Sequence, residues 1–194
     1  YVEVSGELRT IAVSLSKIAN DIRWLGSGPR CGLGELSLPA TQPGSSIMPG
    51  KVNPVICESM IQVCARVVGN DTSVTLGGFG GVGSILELNV AMPMMADAVH
   101  ESIKLLTNGC DMFTDKLLRG LKVNRKHTEG LIEGSLMIVT SLAPVIGYDQ
   151  AAAVAKEAHR KDKTIREIVL ALELLDEQQL DDLLDFDAMT RPHR

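Results

Sequence analysis

An apolar residue recurs at alternating intervals of four and three along the first 25 residues of the chain. The residues that follow this spacing are Val4, Leu8, Ile11, Leu15, Ile18, Ile22 and Leu25. Such spacing places apolar side chains along one side of an α-helix and is typical of the seam between helices in a bundle. Gly26 follows the last of them and predicts the helix end. The pattern therefore predicts a helix more than about 30 Å long that packs in a bundle.

The apolar pattern is already running at Val4, without a preceding Met, capping residue or loop. We therefore expect the polypeptide to be a fragment or a processed piece whose N-terminal part is missing. A targeting segment would lie in that upstream part, so the compartment stays open between the cytoplasm and the mitochondrion. Four cysteines with neither metal-ligand nor disulfide spacing are expected to be reduced, which favours the cytoplasm.

Two more long helices are predicted in the first two thirds of the chain. One runs from Pro54 to Gly69 or further, with an apolar stripe at Ile56, Met60, Val63 and Val67. The other covers about 86–119 with a kink at Pro93, and its stripe comprises Ile103, Leu106, Cys110, Phe113 and Leu117. No stretch alternates apolar and polar residues as a strand requires, so the sequence predicts an all-α fold.

Beyond Gly120 the predicted helices are shorter and have clear start signals. Asn124 is expected to cap a helix that runs to about Leu142, and Asp149 to cap one over 150–159. Thr164 with Glu167, and Asp176 with Gln179, match the capping-box pattern. We therefore predict two domains: part of a long-helix bundle over 1–123 and a small helical C-terminal domain over 124–194.

Composition excludes several classes of function. The net charge of -5, the 3% content of aromatic residues and the lack of a basic cluster argue against nucleic-acid binding. No apolar run reaches the roughly 18 residues of a membrane span. The spacing of the cysteines and histidines does not predict a structural zinc or iron–sulfur site. The run 77–83 formally contains a G-x-G-x-x-G pattern, but no strand is predicted before it, so we interpret it as a flexible link between helices.

The chemically dense stretch is the 44–54 loop, which reads Gly-Ser-Ser-Ile-Met-Pro-Gly-Lys-Val-Asn-Pro. Its prolines restrict the backbone, and its glycines allow a ligand to approach closely. Asn53 is expected to cap the next helix, with Pro54 as its first residue. A helix start together with Lys51 suits a carboxylate or phosphate. The residues alone thus predict an anion-binding loop.

Two roles for Ser45 remain open from the residues alone. A serine nucleophile needs a histidine and an acid nearby, but His100, His127, His159 and His193 all lie far from Ser45 in sequence. A serine base needs its alkoxide to be stabilised by backbone N–H groups and by Lys51.

The 44–54 loop resembles the signature loop of the fumarase/aspartase superfamily at every signature position. The resemblance extends over the whole chain, and it is closest to the class II fumarate hydratases, which contain no iron. Ser27–Glu35, Gly50 after Met-Pro, Glu87–Val90 and Ser135–Tyr148 are similar as well. One departure is the glycine-rich run before Glu87, which is a few residues longer here.

This resemblance implies reversible hydration of fumarate to (S)-malate through an aci-carboxylate intermediate, without a cofactor. It implies that Ser45 is the catalytic base and that Ser46, Lys51, the Val52 backbone and Asn53 bind the substrate. Glu58 corresponds to the glutamate that supports the catalytic histidine.

The resemblance also implies a homotetramer whose active sites each combine regions from three subunits. Two of those three regions, including the one with the histidine, would lie upstream of Tyr1. The alternatives are an aspartate ammonia-lyase and a non-catalytic structural member or fragment of the superfamily.

Overall fold

The computed structural model describes residues 1–192, so His193 lies outside the described residues. Helices account for almost all of its regular structure, which confirms the prediction of an all-α fold. No helix in this part of the chain is long and apolar enough to cross a membrane. The chain divides into two compact units, Tyr1–Asn124 and a second unit that begins at Arg125.

Three long helices form the first unit: α1 (Val2–Leu25), α2 (Val55–Gly78) and α3 (Met92–Lys116). Helix α2 is central, because α1 and α3 both pack along it and contact each other only slightly. Its buried positions follow a spacing of three and four that includes Cys57, Met60, Cys64 and Val67. The core of this unit comprises Ala12, Ala19, Cys57, Met60, Cys64, Val67, Leu106, Phe113 and Leu117.

Helix α1 packs against α2 through small buried residues and through only half of the predicted apolar seam. Ser5, Ala12 and Ala19, seven residues apart, are the buried residues of α1, and Leu8, Leu15 and Ile22 pack beside the core. Small side chains let the two helix backbones approach closely. The other members of the predicted seam lie outside this contact, with Val4, Ile11 and Ile18 exposed by 52%, 49% and 48%. Only half of the seam is therefore used within this chain.

Buried polar groups link α2 to both of its neighbours. The Asn70 amide donates to Glu101 Oε2 (2.7 Å), Ser102 Oγ (3.1 Å) and the Ala98 carbonyl (3.3 Å) on α3. Asp71, the next residue on α2, accepts from Arg9 Nη1 of α1 at 2.9 Å. Each of these bonds requires one alignment of the helices, so together they set the register of the bundle.

The connection from α2 to α3 differs from the prediction. A hairpin of two-residue strands, β2 (Ser84–Ile85) and β3 (Leu88–Asn89), precedes α3, which therefore begins at Met92 and not at Leu86. Pro93 lies in the first turn of α3, where its missing N–H is not needed, and so produces no kink. The Asn89 amide donates to the Gly77 carbonyl at 2.9 Å, which closes the glycine-rich run into a turn.

Two further short strands hold the connection between α1 and α2 in place. Strand β1 (Leu36–Ser37) pairs antiparallel with β4 (Lys122–Val123), which follows a 3₁₀ turn at Leu118–Gly120. The segment after α3 therefore pairs with the middle of the 26–53 connection. Strands of two residues are too short to show an alternating sequence pattern, so the sequence did not predict them.

The second unit contains α4 (Arg125–Gly134), a 3₁₀ helix (Leu136–Ser141), α5 (Ala143–Ile146), α6 (Tyr148–Lys161), α7 (Ile165–Ala171), α8 (Glu177–Leu183) and α9 (Phe186–Met189). Its core is made of aliphatic side chains, namely Leu142, Val154, Ala158, Ile165, Ile168, Val169, Leu175, Leu180 and Leu184.

Helix starts in the second unit follow the sequence signals only in part. Both predicted capping boxes, at Thr164 and Asp176, are confirmed with reciprocal hydrogen bonds. The helix expected to reach Leu142 instead ends at Gly134 and gives way to the 3₁₀ helix. Gly147, and not Asp149, is the N-cap of α6, since Asp149 already lies in its first turn.

Replacement of Ala12 by leucine tests the close α1–α2 contact. Ala12 is completely buried, so the larger side chain must displace α2, and we expect a loss of about 1–3 kcal/mol in the free energy of unfolding. Urea unfolding followed by circular dichroism measures it. Val13→Leu, at an exposed neighbouring position, is the matched control. Equal stability of both variants would contradict the proposed packing.

Candidate functional site

The 44–54 loop lies in the connection between α1 and α2, and hydrogen bonds between its two ends close it. The Gly44 N–H donates to the Lys51 carbonyl at 3.0 Å, and the Asn53 amide donates to the Gly44 carbonyl at 2.5 Å. A β-carbon on Gly44 would lie 2.1 Å from the Lys51 carbonyl oxygen, so only glycine fits there. Gly50, with φ of 77°, makes the turn at the far side.

Two backbone N–H groups point at the Ser45 hydroxyl. Ile47 N and Met48 N both lie 3.2 Å from Ser45 Oγ and donate to it. Donors in this arrangement stabilise negative charge on the oxygen and therefore lower the cost of forming an alkoxide. Ser45 is half-buried, whereas Ser46 is exposed. Of the two serines, only Ser45 has the surroundings that a serine base requires.

The loop has a cleft on each side. The small cleft, about 390 Å³, is lined by residues 40–45, Met48 and residues 50–52. The large cleft, about 900 Å³, lies between the loop and residues 23–38, and it is lined by Lys51, Val52 and Asn53 among others. Lys51 and Val52 thus line both clefts, Ser45 only the small one and Asn53 only the large one.

Asn53 does not have the capping role predicted from the sequence. The N-cap of α2 is Pro54, and no side-chain hydrogen bond caps this helix. The Asn53 amide instead holds the Gly44 carbonyl across the base of the loop. The preference of asparagine for helix starts predicted a local bond, but the folded loop offers a carbonyl nine residues away.

Glu58 and His100 line neither cleft of the first unit. Glu58 is half-buried in the first turn of α2, and His100 belongs to α3. The other described histidines, His127 in α4 and His159 in α6, belong to the second unit. In the described part of the chain, no group of three or more His, Cys, Asp and Glu residues is placed to hold a metal ion.

Arg23 is a candidate functional residue that the sequence interpretation missed. It is half-buried in the last turn of α1 and lines the large cleft together with Lys51. Its positive charge acts on the thiol of Cys57, which lies in the first turn of α2. Burial raises the pKa of Cys57 to about 11, the charge of Arg23 opposes this, and Glu58 adds to it. In sequence, Arg23 is indistinguishable from an ordinary basic residue at a helix C-terminus.

Comparison with known proteins places this geometry in a family. Residues 1–69 match the family model described as "Lyase", and residues 138–191 match "Fumarase C C-terminus". The mitochondrial fumarate hydratase 1 of Arabidopsis thaliana is 52% identical over 98% of this chain. The class II fumarate hydratase of Thermosynechococcus vestitus is 53% identical over 93% of it. A crystal structure of class II fumarase from Schistosoma mansoni, 40% identical, superimposes over the whole chain with a TM-score of 0.89.

The chain belongs to the fumarase/aspartase superfamily. Within it, the similarity is to class II fumarate hydratases, and the match to their C-terminal family model lies in the last third of the chain. The chain spans 38% of the length of the Arabidopsis and Thermosynechococcus relatives and 40% of the Schistosoma structure.

The four cysteines should differ strongly in reactivity. With a pKa of about 11 and a completely buried side chain, Cys57 has a thiolate fraction of about 10⁻³ at pH 8. Iodoacetamide should therefore label the exposed Cys31 in the native protein and leave Cys57 unmodified until urea is added. Peptide mass spectrometry measures the labelling, and equal native labelling of both would contradict the described burial.

Because of the same thiol, the free energy of unfolding should depend on pH in the alkaline range. The pKa of Cys57 is raised in the folded state from 9.0 to about 11, so its stabilising contribution is complete below pH 9 and is lost as the pH rises towards 11. Cys57→Ala should flatten this part of the stability profile in urea unfolding. A profile between pH 8 and 11 that is unchanged in the variant would refute the assignment.

Proposed function

We propose that the protein containing this chain is a class II fumarate hydratase that interconverts fumarate and (S)-malate. The observation that carries the proposal concerns the half-buried Ser45 hydroxyl. Its oxygen accepts hydrogen bonds from two backbone N–H groups, and the same loop holds Lys51. The likeness to fumarate hydratases over nearly the whole chain supports the substrate and the reaction.

In the direction from malate to fumarate, Ser45 acts as the base. Its alkoxide takes the proton from C3 of malate, and the electron pair of the C–H bond moves into the neighbouring carboxylate to form the aci-carboxylate. That electron pair then forms the C2–C3 double bond while hydroxide leaves from C2. The N–H groups of Ile47 and Met48 lower the free energy needed to form this alkoxide, because they donate hydrogen bonds to its oxygen before the proton is transferred.

Lys51 is the cation that balances the charge of the intermediate. The aci-carboxylate carries one negative charge more than the original carboxylate, so a nearby ammonium stabilises it more than the ground state. Lys51 lines the same small cleft as Ser45, and Val52 lies beside it. We assign substrate binding to Ser46, Lys51, the Val52 backbone and Asn53. Asn53 uses one amide hydrogen to hold the loop closed and retains the other for the substrate.

Glu58 supports a catalytic histidine in this proposal. It lies one turn into α2, half-buried and outside both clefts. A carboxylate at this position acts on the reaction through a partner and not by touching the substrate. Because the described histidines line neither cleft, we place the partner histidine in sequence that the relatives have beyond the portion matched here.

Self-association follows from the half-used seam of α1. The exposed side chains Val4, Ile11 and Ile18 continue a helical stripe that α2 does not cover, and apolar stripes of this kind are stabilised by packing against further helices. We propose a homotetramer in which three subunits contribute to each active site. Within it, residues 1–123 belong to the central bundle and residues 124–194 form the small C-terminal domain.

The compartment is proposed from the relatives and from the cysteines. The matched relatives include a mitochondrial protein from a plant and a bacterial protein. The free cysteines support a reducing compartment, and we propose the cytoplasm.

A chimaera tests the reaction. The 194 residues replace the matching portion of the Thermosynechococcus enzyme, and ultraviolet absorbance follows fumarate formation from malate and from aspartate. We expect activity on malate only. Fumarate formed from aspartate alone would establish an aspartate ammonia-lyase, and a folded tetramer that acts on neither substrate would support a structural member of the superfamily.

Ser45→Ala in the same chimaera tests the base. Loss of the proton acceptor should lower kcat by about 10²–10⁴-fold or more without changing the tetramer seen by gel filtration. Ser14→Ala, which removes an exposed hydroxyl on α1, is the matched control. A kcat for Ser45→Ala within about twofold of the control would exclude Ser45 as the base.

The isolated 194-residue chain should be inactive towards malate. The proposed mechanism requires a histidine that neither cleft contains among the described residues. The same absorbance assay, run with the chimaera as positive control, measures this. Turnover by the isolated chain would show that the histidine-bearing region is unnecessary.

A further inference from the structure

The segment that follows α3 is bonded along one side of the connection between α1 and α2. Strand β4 of this segment pairs with β1 of the connection. A β-carbon on Gly120 would lie 2.7 Å from Cγ of Pro39, so glycine allows the two segments to approach this closely. Residues 34–39 are therefore held against residues 120–124, which lie much further along the chain.

Asn124 forms hydrogen bonds with three residues of this connection. Its side-chain amide nitrogen donates to the Gly34 carbonyl at 2.6 Å, and its side-chain oxygen accepts from Ser37 Oγ at 2.7 Å. Its backbone N–H donates to the Glu35 carbonyl at 2.9 Å. An asparagine side chain carries a donor and an acceptor on one planar group, so this single residue fixes both ends of 34–37.

The segment that Asn124 holds forms one wall of the large cleft. Gly34 and Ser37 line this cleft together with Lys51 and Asn53. Lys51 and Asn53 are proposed to bind the substrate, so the wall belongs to the same proposed active site. Its position sets the space that a substrate has beside them.

The connection has little regular structure of its own to keep this wall in place. Between α1 and α2 the described chain contains one strand of two residues. Several other hydrogen bonds of the connection join residues close in sequence, such as the Leu33 N–H with Ser27 Oγ and the Gly44 N–H with the Lys51 carbonyl. Ordering a segment of this length costs conformational entropy, so bonds from a distant part of the chain have a large effect on it.

We propose that Asn124 is a positioning residue for the interconversion of fumarate and malate. It acts through Gly34 and Ser37, whose positions it fixes, and not on the reacting atoms. If this wall is loosened, substrate binding must also order it, and binding becomes weaker. Ser45 lines only the small cleft, so the proton transfer should be affected less. The inference rests on the proposed function, since it assumes that substrate occupies the space beside Lys51.

Asn124→Ser in the chimaera with the Thermosynechococcus enzyme tests this role. Serine is uncharged and suits the start of α4 as asparagine does, but its side chain is too short to bond to both Gly34 and Ser37. We expect kcat/KM for malate to fall by about tenfold or more, with most of the change in KM. Circular dichroism and gel filtration confirm that the variant is folded and assembled.

Asn89→Ser is the matched control. Asn89 is also half-buried, its amide donates to the Gly77 carbonyl at 2.9 Å, and its side-chain oxygen accepts from the Ala91 N–H at 2.8 Å. It closes the connection between α2 and α3 and lines neither cleft. The same substitution there should cost comparable stability and leave KM and kcat within about twofold of the unsubstituted chimaera.

A second substitution shows whether the effect passes through the wall. Ser37→Ala removes one of the bonds to Asn124 and should raise KM by a smaller factor. The double variant Ser37→Ala/Asn124→Ser should have the same KM as Asn124→Ser, because both changes remove the same bond. Purely additive effects on KM would contradict a shared action.

Hydrogen exchange gives a readout that does not depend on activity. In the chimaera, the amides of residues 26–43 should exchange faster in Asn124→Ser than in Asn89→Ser, as measured by mass spectrometry of peptides. If the chimaera does not act on malate, the proposed function fails, and the exchange result still decides whether Asn124 holds the wall.

The inference is wrong if KM is unchanged in Asn124→Ser, if KM rises equally in Asn89→Ser, or if residues 26–43 exchange at the same rate in both variants. If Asn124→Ser does not fold, Ser37→Ala decides the question, since unchanged KM and unchanged exchange in that variant also contradict the positioning role.

Discussion

The close packing of α1 against α2 is the contact on which the rest of the first unit depends. Ala12 and Ala19 share one core with the buried residues of α2, and this contact fixes where α1 ends relative to where α2 begins. The connection that contains the 44–54 loop starts at one of these ends and finishes at the other. With its two ends held by packed helices, the connection has far fewer conformations available than a free segment of the same length. The Arg9–Asp71 pair then aligns α1 with α2, and the Asn70 network aligns α3 with α2.

Within that frame, the loop organises itself through its own backbone. Gly44 and Lys51 are joined by a backbone hydrogen bond, and Asn53 closes the same ring through its side chain. The Ser45 hydroxyl oxygen accepts hydrogen bonds from the N–H groups of Ile47 and Met48, two and three residues further along the chain. A site formed in this way is ordered before any ligand arrives, and less binding energy is needed to arrange it. Within the loop, Ser45 lines only the small cleft, Asn53 lines only the large cleft, and Lys51 lines both.

Much of the local structure could be predicted because the responsible interactions are short in sequence. Gly26 stops α1, and Thr164 and Asp176 begin their helices with reciprocal bonds. Two of the errors arise from hydrogen bonds that the sequence patterns do not reveal. Asn53 found a carbonyl nine residues away instead of the adjacent helix N–H groups, and the start of α3 moved to Met92 because Leu86–Asn89 forms part of a hairpin. In each case a contact formed by the folded chain outweighed a local preference.

The sequence by itself determined the class of this protein: an all-α chain with three long helices, a short-helix C-terminal unit and a loop with the signature of the fumarase/aspartase superfamily. Helical periodicity, caps and a contiguous motif are properties of neighbouring residues, and they can therefore be recognised without coordinates. The tertiary structure alone decided which half of the α1 seam is buried, which face of the loop each polar residue occupies, and that Arg23 stands with Lys51 in one cleft. The first and the last of these outcomes depend on contacts between residues tens of positions apart, which only the packing of α1, α2 and the connection between them brings together. The second depends on the hydrogen bonds that close the loop, and the Asn53–Gly44 bond among them exists only in the folded loop.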